Sequence, residues 1–342
     1  MASNWSRETW ALEITPLRLE LAETFRIARE TSTFADNVFV TLRFASVSGV
    51  GEANPASRWN ESVESVVKQL KDVDPGELGN PFNFEGLLEI LPPGSARAAL
   101  DIAIHDLAGK IAGLSVTKLL GLKGRSLPRT SVTIPIKDVD AMVEKARSLA
   151  DHPVLKMKVG FDGDVQAVAR IREAFGGTLR IDANEGWREE EAIERLKSLE
   201  RFNIELCEQP IPAGDHDALR RVTESTSIAV FADEDVCTAK DVAALAGIVD
   251  GVNLKLRKTG GIREAVHAIA TARAHDLKVM LGTDLVSGIG ATAEAHLGGL
   301  VDHLDIDGPL LLKEDPFPGV TYDRGRLTVP DLPGLGVKGA PA

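Results

Sequence analysis

The sequence predicts an α/β protein, with a (β/α)7β barrel of the TIM type following a smaller N-terminal α+β domain. Two observations within the barrel region lead to this fold class. Eight short apolar segments recur between residues 131 and 307, and amphipathic helical segments separate most of them. Such alternation is typical of a parallel sheet with right-handed crossovers, and eight strands close into a barrel. A third observation is that the pattern before residue 126 differs, with long alternating segments followed by helices.

The N-terminal domain is assigned to residues 1–125. Residues 9–21 and 37–53 alternate apolar and polar side chains, as half-buried antiparallel strands do, and the polar segment FRIARETSTFAD between them is interpreted as a loop. Residues 59–73 and 94–114 have the apolar spacing of helices. The first residues carry scattered charges without a continuous apolar stretch, which predicts no signal peptide.

The barrel is assigned to residues 126–315. Its predicted strands are SVTIPI, VLKMKV, TLRID, IELCE, IAVFAD, GVNLKL, LKVMLG and HLDID, with helices such as EEAIERLKSL and IREAVHAIATARAH between them. Residues 316–342 are rich in proline and glycine; YDRGRLTV is interpreted as a hairpin, and the remaining tail is expected to return to the first domain.

Composition excludes several classes of protein. The 342 residues are 44% hydrophobic and 26% charged, which is typical of a globular protein, and a net charge of -12 argues against binding to nucleic acid or anionic lipid. No uncharged apolar run is long enough to span a bilayer. Two cysteines, Cys207 and Cys237, form no disulfide framework or zinc-binding spacing, so we expect a reduced, cytoplasmic protein.

Two lysines, Lys156 and Lys158, lie two residues apart in the second predicted strand. Side chains at this spacing face the same side, so both would point into the barrel mouth. Two neighbouring ammonium groups disfavour each other's protonation, which would lower the pKa of Lys158 and make it a competent general base. A K-x-K pair is common, and by itself it equally describes two lysines on a solvated edge.

Three acids and a further lysine follow at strand ends. The steps from Lys158 to Asp182, Glu208, Asp233 and Lys255 are 24, 26, 25 and 22 residues, about one strand–helix unit each. Any single acid could be a helix cap or half of a surface ion pair. Three acids at consecutive strand ends converge on one mouth, and their hard oxygen ligands favour Mg²⁺, with Mn²⁺ as a substitute.

Lys255 ends the sixth predicted strand, opposite the second strand in a barrel of eight. Lys258 is its competitor, but it begins the glycine-rich turn, so Lys255 is the preferred candidate. Asn184 lies two residues beyond Asp182 and could support a ligand or substrate. A lysine on each side of a metal-bound carboxylate can remove a proton from one face and return one to the other, which is the chemistry of racemases and epimerases.

The motifs LKMKVG, RIDANEGW, CEQP, FADED and NLKLRKTGGI resemble, in order and spacing, the muconate-lactonizing subgroup of the enolase superfamily, over essentially the whole chain. A lysine base with a Mg²⁺-stabilised enediolate is an established property of that superfamily. Barrels of this family often form homo-oligomers. The resemblance implies one Mg²⁺ per site on Asp182, Glu208 and Asp233, Lys158 and Lys255 as the acid/base pair, Lys156 supporting Lys158, and Glu234 supporting the ligands.

DIDGPLLLK is similar to the signature of dipeptide epimerases, in which two acids, here Asp305 and Asp307, receive the substrate α-ammonium group. The resemblance implies a Mg²⁺-dependent dipeptide epimerase that inverts the α-carbon of the C-terminal residue through an enediolate. A lyase of the same subgroup, such as an o-succinylbenzoate synthase or a muconate cycloisomerase, is the alternative, and it has no amine to place there. A capping loop near residues 25–33 and the loop at 51–57 would close the site.

The side-chain preference depends on positions where this sequence departs from the family. Members selective for Ala-Glu have an arginine in the capping loop, whereas this chain has Glu30 there, with Arg26 and Arg29 nearby. Asp284 ends the seventh strand, where relatives often carry an uncharged residue. Two acids in the pocket would repel a substrate glutamate and attract a cation, which predicts a preference for dipeptides containing Lys or Arg.

Overall fold

The fold is described for residues 10–122 and 125–341 in a computed structural model. The first nine residues, on which the expectation about a signal peptide depends in part, lie outside the described residues. An eight-stranded parallel sheet forms the barrel, and a three-stranded antiparallel sheet precedes it. The predicted fold class is therefore confirmed.

The N-terminal domain packs one long helix on an antiparallel sheet. The strands pair in the order β1-β2-β3, and helix α3 contacts β3 so closely that a Cβ atom built on Gly51 would lie 1.9 Å from the carbonyl oxygen of Ala99. The elements are β1 Trp10–Arg26, β2 Thr31–Phe44, β3 Val47–Ala53, α1 Val63–Lys71, α2 Leu87–Ile90, α3 Ser95–Ala112 and α4 Val116–Leu119, with short 3-10 helices at Ser57–Trp59 and Pro75–Leu78.

The loop between the first two strands is shorter than the sequence predicted. Strand pairing continues through most of the polar segment 25–36, and only residues 27–30 connect the strands. The amide of Ile27 donates to the carbonyl oxygen of Glu30 at 3.0 Å and closes the turn. The prediction of a loop over 25–36 was wrong because cross-strand pairing overrides the polar composition of a protruding hairpin.

All eight predicted barrel strands are present, and they run in sequence order around the barrel. A parallel bridge from Thr130 to Leu304, with the amide of Ser131 donating to the carbonyl oxygen of Leu304 at 3.1 Å, joins the first strand to the last. The strands are β4 Val132–Ile134, β5 Val154–Lys158, β6 Thr178–Asp182, β7 Ile204–Glu208, β8 Ala229–Ala232, β9 Gly251–Leu254, β10 Lys278–Gly282 and β11 His303–Asp305.

Helices follow the barrel strands, and most of them pack on the outside of the barrel, whereas the short helices Leu256–Thr259 and Gly308–Leu311 lie at its mouth. In chain order, the helices are α5 Val139–Ser148, α6 Asp164–Ala174, α7 Glu189–Leu199, α8 His216–Glu224, α9 Ala239–Ala244, α10 Leu256–Thr259, α11 Ile262–Ala274, α12 Gly288–Ala295 and α13 Gly308–Leu311, with 3-10 turns at Glu200–Phe202 and Gly298–Leu300. Leu155 and Met157 of β5 belong to the core cluster shared with these helices, so the alternating residues Lys156 and Lys158 face the barrel interior. Among the described residues, no helix has the length and apolarity needed to cross a membrane.

The chain ends in a hairpin and an extended tail. Strands β12 Thr321–Asp323 and β13 Arg326–Thr328 pair antiparallel, as YDRGRLTV predicted. The amide of Leu335 donates to Oδ1 of Asp106 at 2.8 Å, and the amide of Gly334 donates to the carbonyl oxygen of Leu114 at 2.9 Å. These bonds attach the tail to the C-terminal half of helix α3 and the residues that follow it.

Candidate active site

A cavity of about 260 Å³ lies between the barrel mouth and the N-terminal domain. The N-terminal domain contributes residues of the β1–β2 hairpin between positions 25 and 36, together with residues 54–58. The barrel contributes residues near or after the carboxyl ends of its strands. In barrels of this type, those strand ends form the active site. The predicted site residues that line the cavity are Arg29, Glu30, Lys156, Lys158, Asn184, Lys255, Asp284, Asp305 and Asp307.

The two candidate acid/base lysines face each other across the barrel. Lys158 ends β5 and Lys255 directly follows β9, so three strands separate them by either route around the closed sheet. Nζ of Lys158 lies 2.6 Å from Oδ2 of Asp182, and Nζ of Lys255 lies 2.8 Å from Oδ2 of Asp233. A group held in this cavity can therefore be reached by one ammonium group from each side.

The three candidate metal ligands end or follow the adjacent strands β6, β7 and β8. Asp182, Glu208 and Asp233 are almost fully buried. Burial and the neighbouring charge of Asp182 raise the pKa of Glu208 to about 8. Nζ of Lys156 lies 3.0 Å from Oδ2 of Asp182 and 2.6 Å from Oε2 of Glu208, so a cation already lies between these two acids.

The donor set fits a hard divalent cation. All three positions offer carboxylate oxygens. Oε2 of Glu208 is buried and has no hydrogen-bond partner among residues 10–122 and 125–341, although Nζ of Lys156 is in ion-pair contact. In the part of the chain that the structure describes, no three acid, histidine or cysteine side chains are arranged to enclose a metal ion as they stand. The reason is visible in the ion pairs, because lysine ammonium groups lie against these carboxylates on the cavity side.

Carboxylates dominate the electrostatic environment of Lys156. Burial alone would lower its pKa, but the carboxylates of Asp182, Asp305 and Glu208 outweigh burial and hold the pKa well above its usual value. Repulsion between neighbouring ammonium groups is therefore outweighed at Lys156, because three acids surround it. Likewise, Asp233 and Asp284 raise the pKa of Lys255 in spite of its burial.

Lys258, the competitor of Lys255, is fixed beneath the site. Its Nζ contacts Oδ1 of Asp233 and donates to the carbonyl oxygens of Asp233 at 2.5 Å and Asn253 at 3.0 Å. These contacts engage the ammonium group with protein atoms, whereas Lys255 lines the cavity. The preference for Lys255 is consistent with this placement.

The two acids at the end of β11, Asp305 within the strand and Asp307 after it, are attached to the first barrel strand and the residue before it. Oδ1 of Asp305 accepts from Oγ of Ser131 at 2.5 Å, and its Oδ2 accepts from Nζ of Lys156 at 2.6 Å. Oδ2 of Asp307 accepts from the amide of Thr133 at 2.7 Å. Burial and the nearby charge of Asp305 raise the pKa of Asp307 to about 6, so a further cation beside this pair would be stabilised.

Arg29 connects the β1–β2 turn to the barrel. It donates to Oε1 of Glu234 at 2.6 Å and to the carbonyl oxygen of Asn184 at 3.2 Å, while the amide of Asn184 donates to Oδ1 of Asp182 at 2.9 Å. Glu30 lies at the cavity rim with an exposed side chain. The structure thus gives Arg29 contacts within the protein and leaves Glu30 open to solvent.

Asp284 is in contact with two cations. Its Oδ1 lies 3.3 Å from Nζ of Lys255, and its Oδ2 accepts from Nε of Arg257. Burial would raise the pKa of Asp284, but these two cations lower it. The charge of Asp284 is therefore balanced within the protein, which weakens the expectation that this residue attracts a cationic substrate side chain.

Sequence reasoning missed several residues that shape this site. Oε1 of Gln209 accepts from the amide of Asp233 at 2.8 Å, and the CEQP motif was the available signal for it. Arg58, the residue after the 51–57 segment, forms two hydrogen bonds with Glu185, at 2.9 and 2.8 Å, and thereby attaches this part of the N-terminal domain to the barrel. Arg257 belongs to α10, where the alternation of a strand no longer applies, so no periodicity identified it.

Comparison with known proteins agrees with this architecture. Residues 139–341 match the enolase C-terminal domain-like family, and residues 12–121 match the mandelate racemase/muconate lactonizing enzyme N-terminal domain. An L-Ala-D/L-Glu epimerase of Bacteroides thetaiotaomicron is 36% identical over 94% of this chain and 86% of its own length.

Two solved structures extend the similarity to three dimensions. A substrate-liganded L-Ala-D/L-Glu epimerase of Bacillus subtilis has a TM-score of 0.92 and 31% identity, covering 96% of this chain and 98% of its own. A dipeptide epimerase of Cytophaga hutchinsonii, complexed with Mg and D-Ala-L-Val, has a TM-score of 0.90 and 34% identity, covering 97% and 95%. The chain belongs to the mandelate racemase/muconate-lactonizing enzyme family of the enolase superfamily.

Proposed function

We propose that this protein is a Mg²⁺-dependent dipeptide epimerase, which inverts the α-carbon of the C-terminal residue by 1,1-proton transfer. The observation that carries the proposal is one cavity with Lys158 and Lys255 on opposite sides and with Asp305 and Asp307 in its wall. The names of the related proteins, which are epimerases of dipeptides, support the same function.

The two lysines supply the proton transfer. With the substrate α-carbon between them, the neutral form of one lysine removes the α-proton, and the ammonium form of the other donates a proton to the opposite face. Reversing these roles converts the other stereoisomer, so both directions use the same two groups. Mg²⁺ held by Asp182, Glu208 and Asp233 would supply positive charge beside the substrate carboxylate as negative charge develops there.

The two acids at the end of β11 distinguish a dipeptide from a substrate without an amine. Lys156 balances one negative charge of the Asp305–Asp307 pair, but it also contacts Asp182 and Glu208. Both acids are nearly fully buried and line the cavity, so a substrate α-ammonium group would supply the charge that the pair lacks. A lyase of the same family would have no group for this position.

The test is exchange of the substrate α-proton. Purified protein is incubated in D₂O with Mg²⁺ and a library of L,L-dipeptides, and mass spectrometry records a gain of about one mass unit per exchanged α-proton. We expect exchange in a subset of dipeptides, no exchange after chelation, and recovery on adding Mg²⁺ or Mn²⁺. The Lys158→Ala/Lys255→Ala double variant is the matched control for background exchange.

N-acetylated dipeptides test recognition of the amine. Acetylation removes the positive charge while keeping the α-proton of the C-terminal residue, so we expect a large loss of exchange. Exchange that does not depend on the free amine would contradict the role of Asp305 and Asp307. Exchange of no dipeptide by metal-loaded protein, together with turnover of a succinylbenzoate- or muconate-type substrate, would favour the lyase.

A further inference from the structure

Most charged groups in the wall around the cavity are paired with other protein groups. Arg58 makes two hydrogen bonds with Glu185, and Asp36 accepts two from Arg18, at 2.7 and 2.8 Å. Among the described residues, Arg29 uses Nη1 alone, which donates to Glu234 and lies 3.5 Å from Oε2 of Glu185, so two acids already balance its charge. A group whose donors and acceptors are already used contributes little to selecting a substrate side chain. The selective groups are therefore those that line the cavity and keep unused hydrogen-bonding capacity.

Arg257 has such capacity. Its Nε donates to Asp284, and its guanidinium carbon lies 5.7 Å from the ring centroid of Trp59. Within the described residues, neither Nη atom makes a hydrogen bond, although the side chain is only 11% exposed and lines the cavity. A guanidinium group offers five N–H donors in a planar fork, so several donors remain for a ligand.

We propose that Arg257 is a specificity-determining residue, whose free Nη groups bind a carboxylate or amide oxygen of the substrate side chain and whose charge disfavours a cationic side chain. This inference rests on the proposed dipeptide epimerase function and goes beyond it by naming the side-chain class. It also reverses the preference for Lys- or Arg-containing dipeptides that the sequence predicted.

The reversal follows from the balance of charge at this corner of the cavity. Asp284 was one of two acids expected to attract a cation, but Lys255 and Arg257 both contact it. A cationic side chain entering here would meet Arg257 in a partly desolvated position, where like charges repel strongly. Glu30, the other acid, is exposed at the rim, and its attraction is weakened by solvent.

The experiment measures kcat/KM for dipeptides of L-Ala with L-Glu, L-Gln or L-Lys, each in both orders. In one of the two residue orders, we expect kcat/KM of the wild type to be at least about tenfold higher for the Glu or Gln dipeptide than for the Lys dipeptide. This is the size expected for one charge-assisted hydrogen bond. Arg257→Met should lower that ratio by about tenfold or more, because the donors are lost and Asp284 is uncovered. Ratios are compared, so a uniform loss of activity does not imitate the effect.

Two further variants make the result specific. Arg257→Lys keeps the charge but loses the fork, so it should still disfavour the Lys dipeptide while losing part of its activity on the Gln dipeptide. Arg263→Met removes another arginine, one that pairs with Glu85 outside the cavity, and should leave the ratio unchanged.

Two outcomes would overturn the role of Arg257 while leaving the proposed function intact. The first is a wild type with a higher kcat/KM for the Lys dipeptide, and the second is a kcat/KM ratio that neither Arg257→Met nor Arg257→Lys changes. Turnover of none of the six dipeptides would instead overturn the proposed function, and this inference with it.

Discussion

Protonation of His296 should destabilise the protein as the pH falls below neutrality. This buried imidazole follows α12, where its Nε2 lies 3.0 Å from the carbonyl oxygen of Leu335 and its Nδ1 accepts from the amide of Thr117 at 3.2 Å. The ring thereby connects the barrel, helix α4 and the C-terminal tail. Burial lowers the pKa of His296 from 6.5 to about 4, because the charged form is poorly solvated there.

The sign and size of the effect follow from linkage. Since the folded pKa is the lower one, the unfolded chain binds the proton more tightly, and stability is lost as the pH falls from 6.5 toward about 4. The full difference corresponds to roughly 3 kcal/mol, of which about 2 kcal/mol should be lost by about pH 5.

The assay is urea unfolding of the wild type and His296→Gln, followed by tryptophan fluorescence between about pH 7.5 and about pH 5. Glutamine cannot titrate, so the stability advantage of the wild type should shrink by about 2 kcal/mol across this range. His275→Gln, at an exposed position, is the control for losing a histidine from the surface. An advantage of the wild type that stays constant or grows on acidification would refute the reasoning.

Three further predictions concern the site and the packing of the N-terminal domain. Lys158→Ala and Lys255→Ala should each lower epimerisation by about 10²–10⁴-fold, because each removes the acid/base group of one face. Single-turnover α-proton exchange from each stereoisomer measures this, and epimerisation at the wild-type rate in either variant would contradict it. Asp305→Asn should raise KM for dipeptides with a free amine by about tenfold or more, because one negative charge beside the α-ammonium group is lost. Steady-state kinetics should show a much smaller change in KM for N-acetyl dipeptides. Gly51→Ala should destabilise the protein by about 1–3 kcal/mol, because the new Cβ would clash with helix α3. Thermal unfolding tests this against Gly176→Ala, whose Cβ would meet none of the described residues within 4 Å, and equal melting temperatures of the two variants would count against it.

The strand-borne part of the site was predictable because strand geometry is local. Alternation placed Lys156 and Lys158 on one face, and repetition of strand–helix units placed Asp182, Glu208 and Asp233 at consecutive strand ends. These relations depend only on spacing along the chain. The structure has each of these residues where that spacing put it.

Electrostatic relations were not predictable, because they depend on partners distant in sequence. The pKa of Lys156 depends on Asp305, 149 residues away, and the charge of Asp284 is balanced by Arg257, 27 residues earlier. The polar segment at 25–36 was assigned to a loop because composition does not reveal cross-strand pairing. Spacing thus located the charged groups, whereas only the fold shows which of them neutralise one another.

The bridge that closes the barrel has a consequence for when the site forms. Ser131 and Thr133 hold Asp305 and Asp307 across that bridge, through contacts that span 174 residues of sequence. Contacts of such long range carry a high loop-closure entropy and form late unless other structure brings them together. A nascent or partly unfolded chain can therefore hold its lysines and metal-ligand acids on neighbouring strands while these two acids are still unanchored. Binding of a substrate amine would then require that the first and last barrel strands, β4 and β11, have already paired.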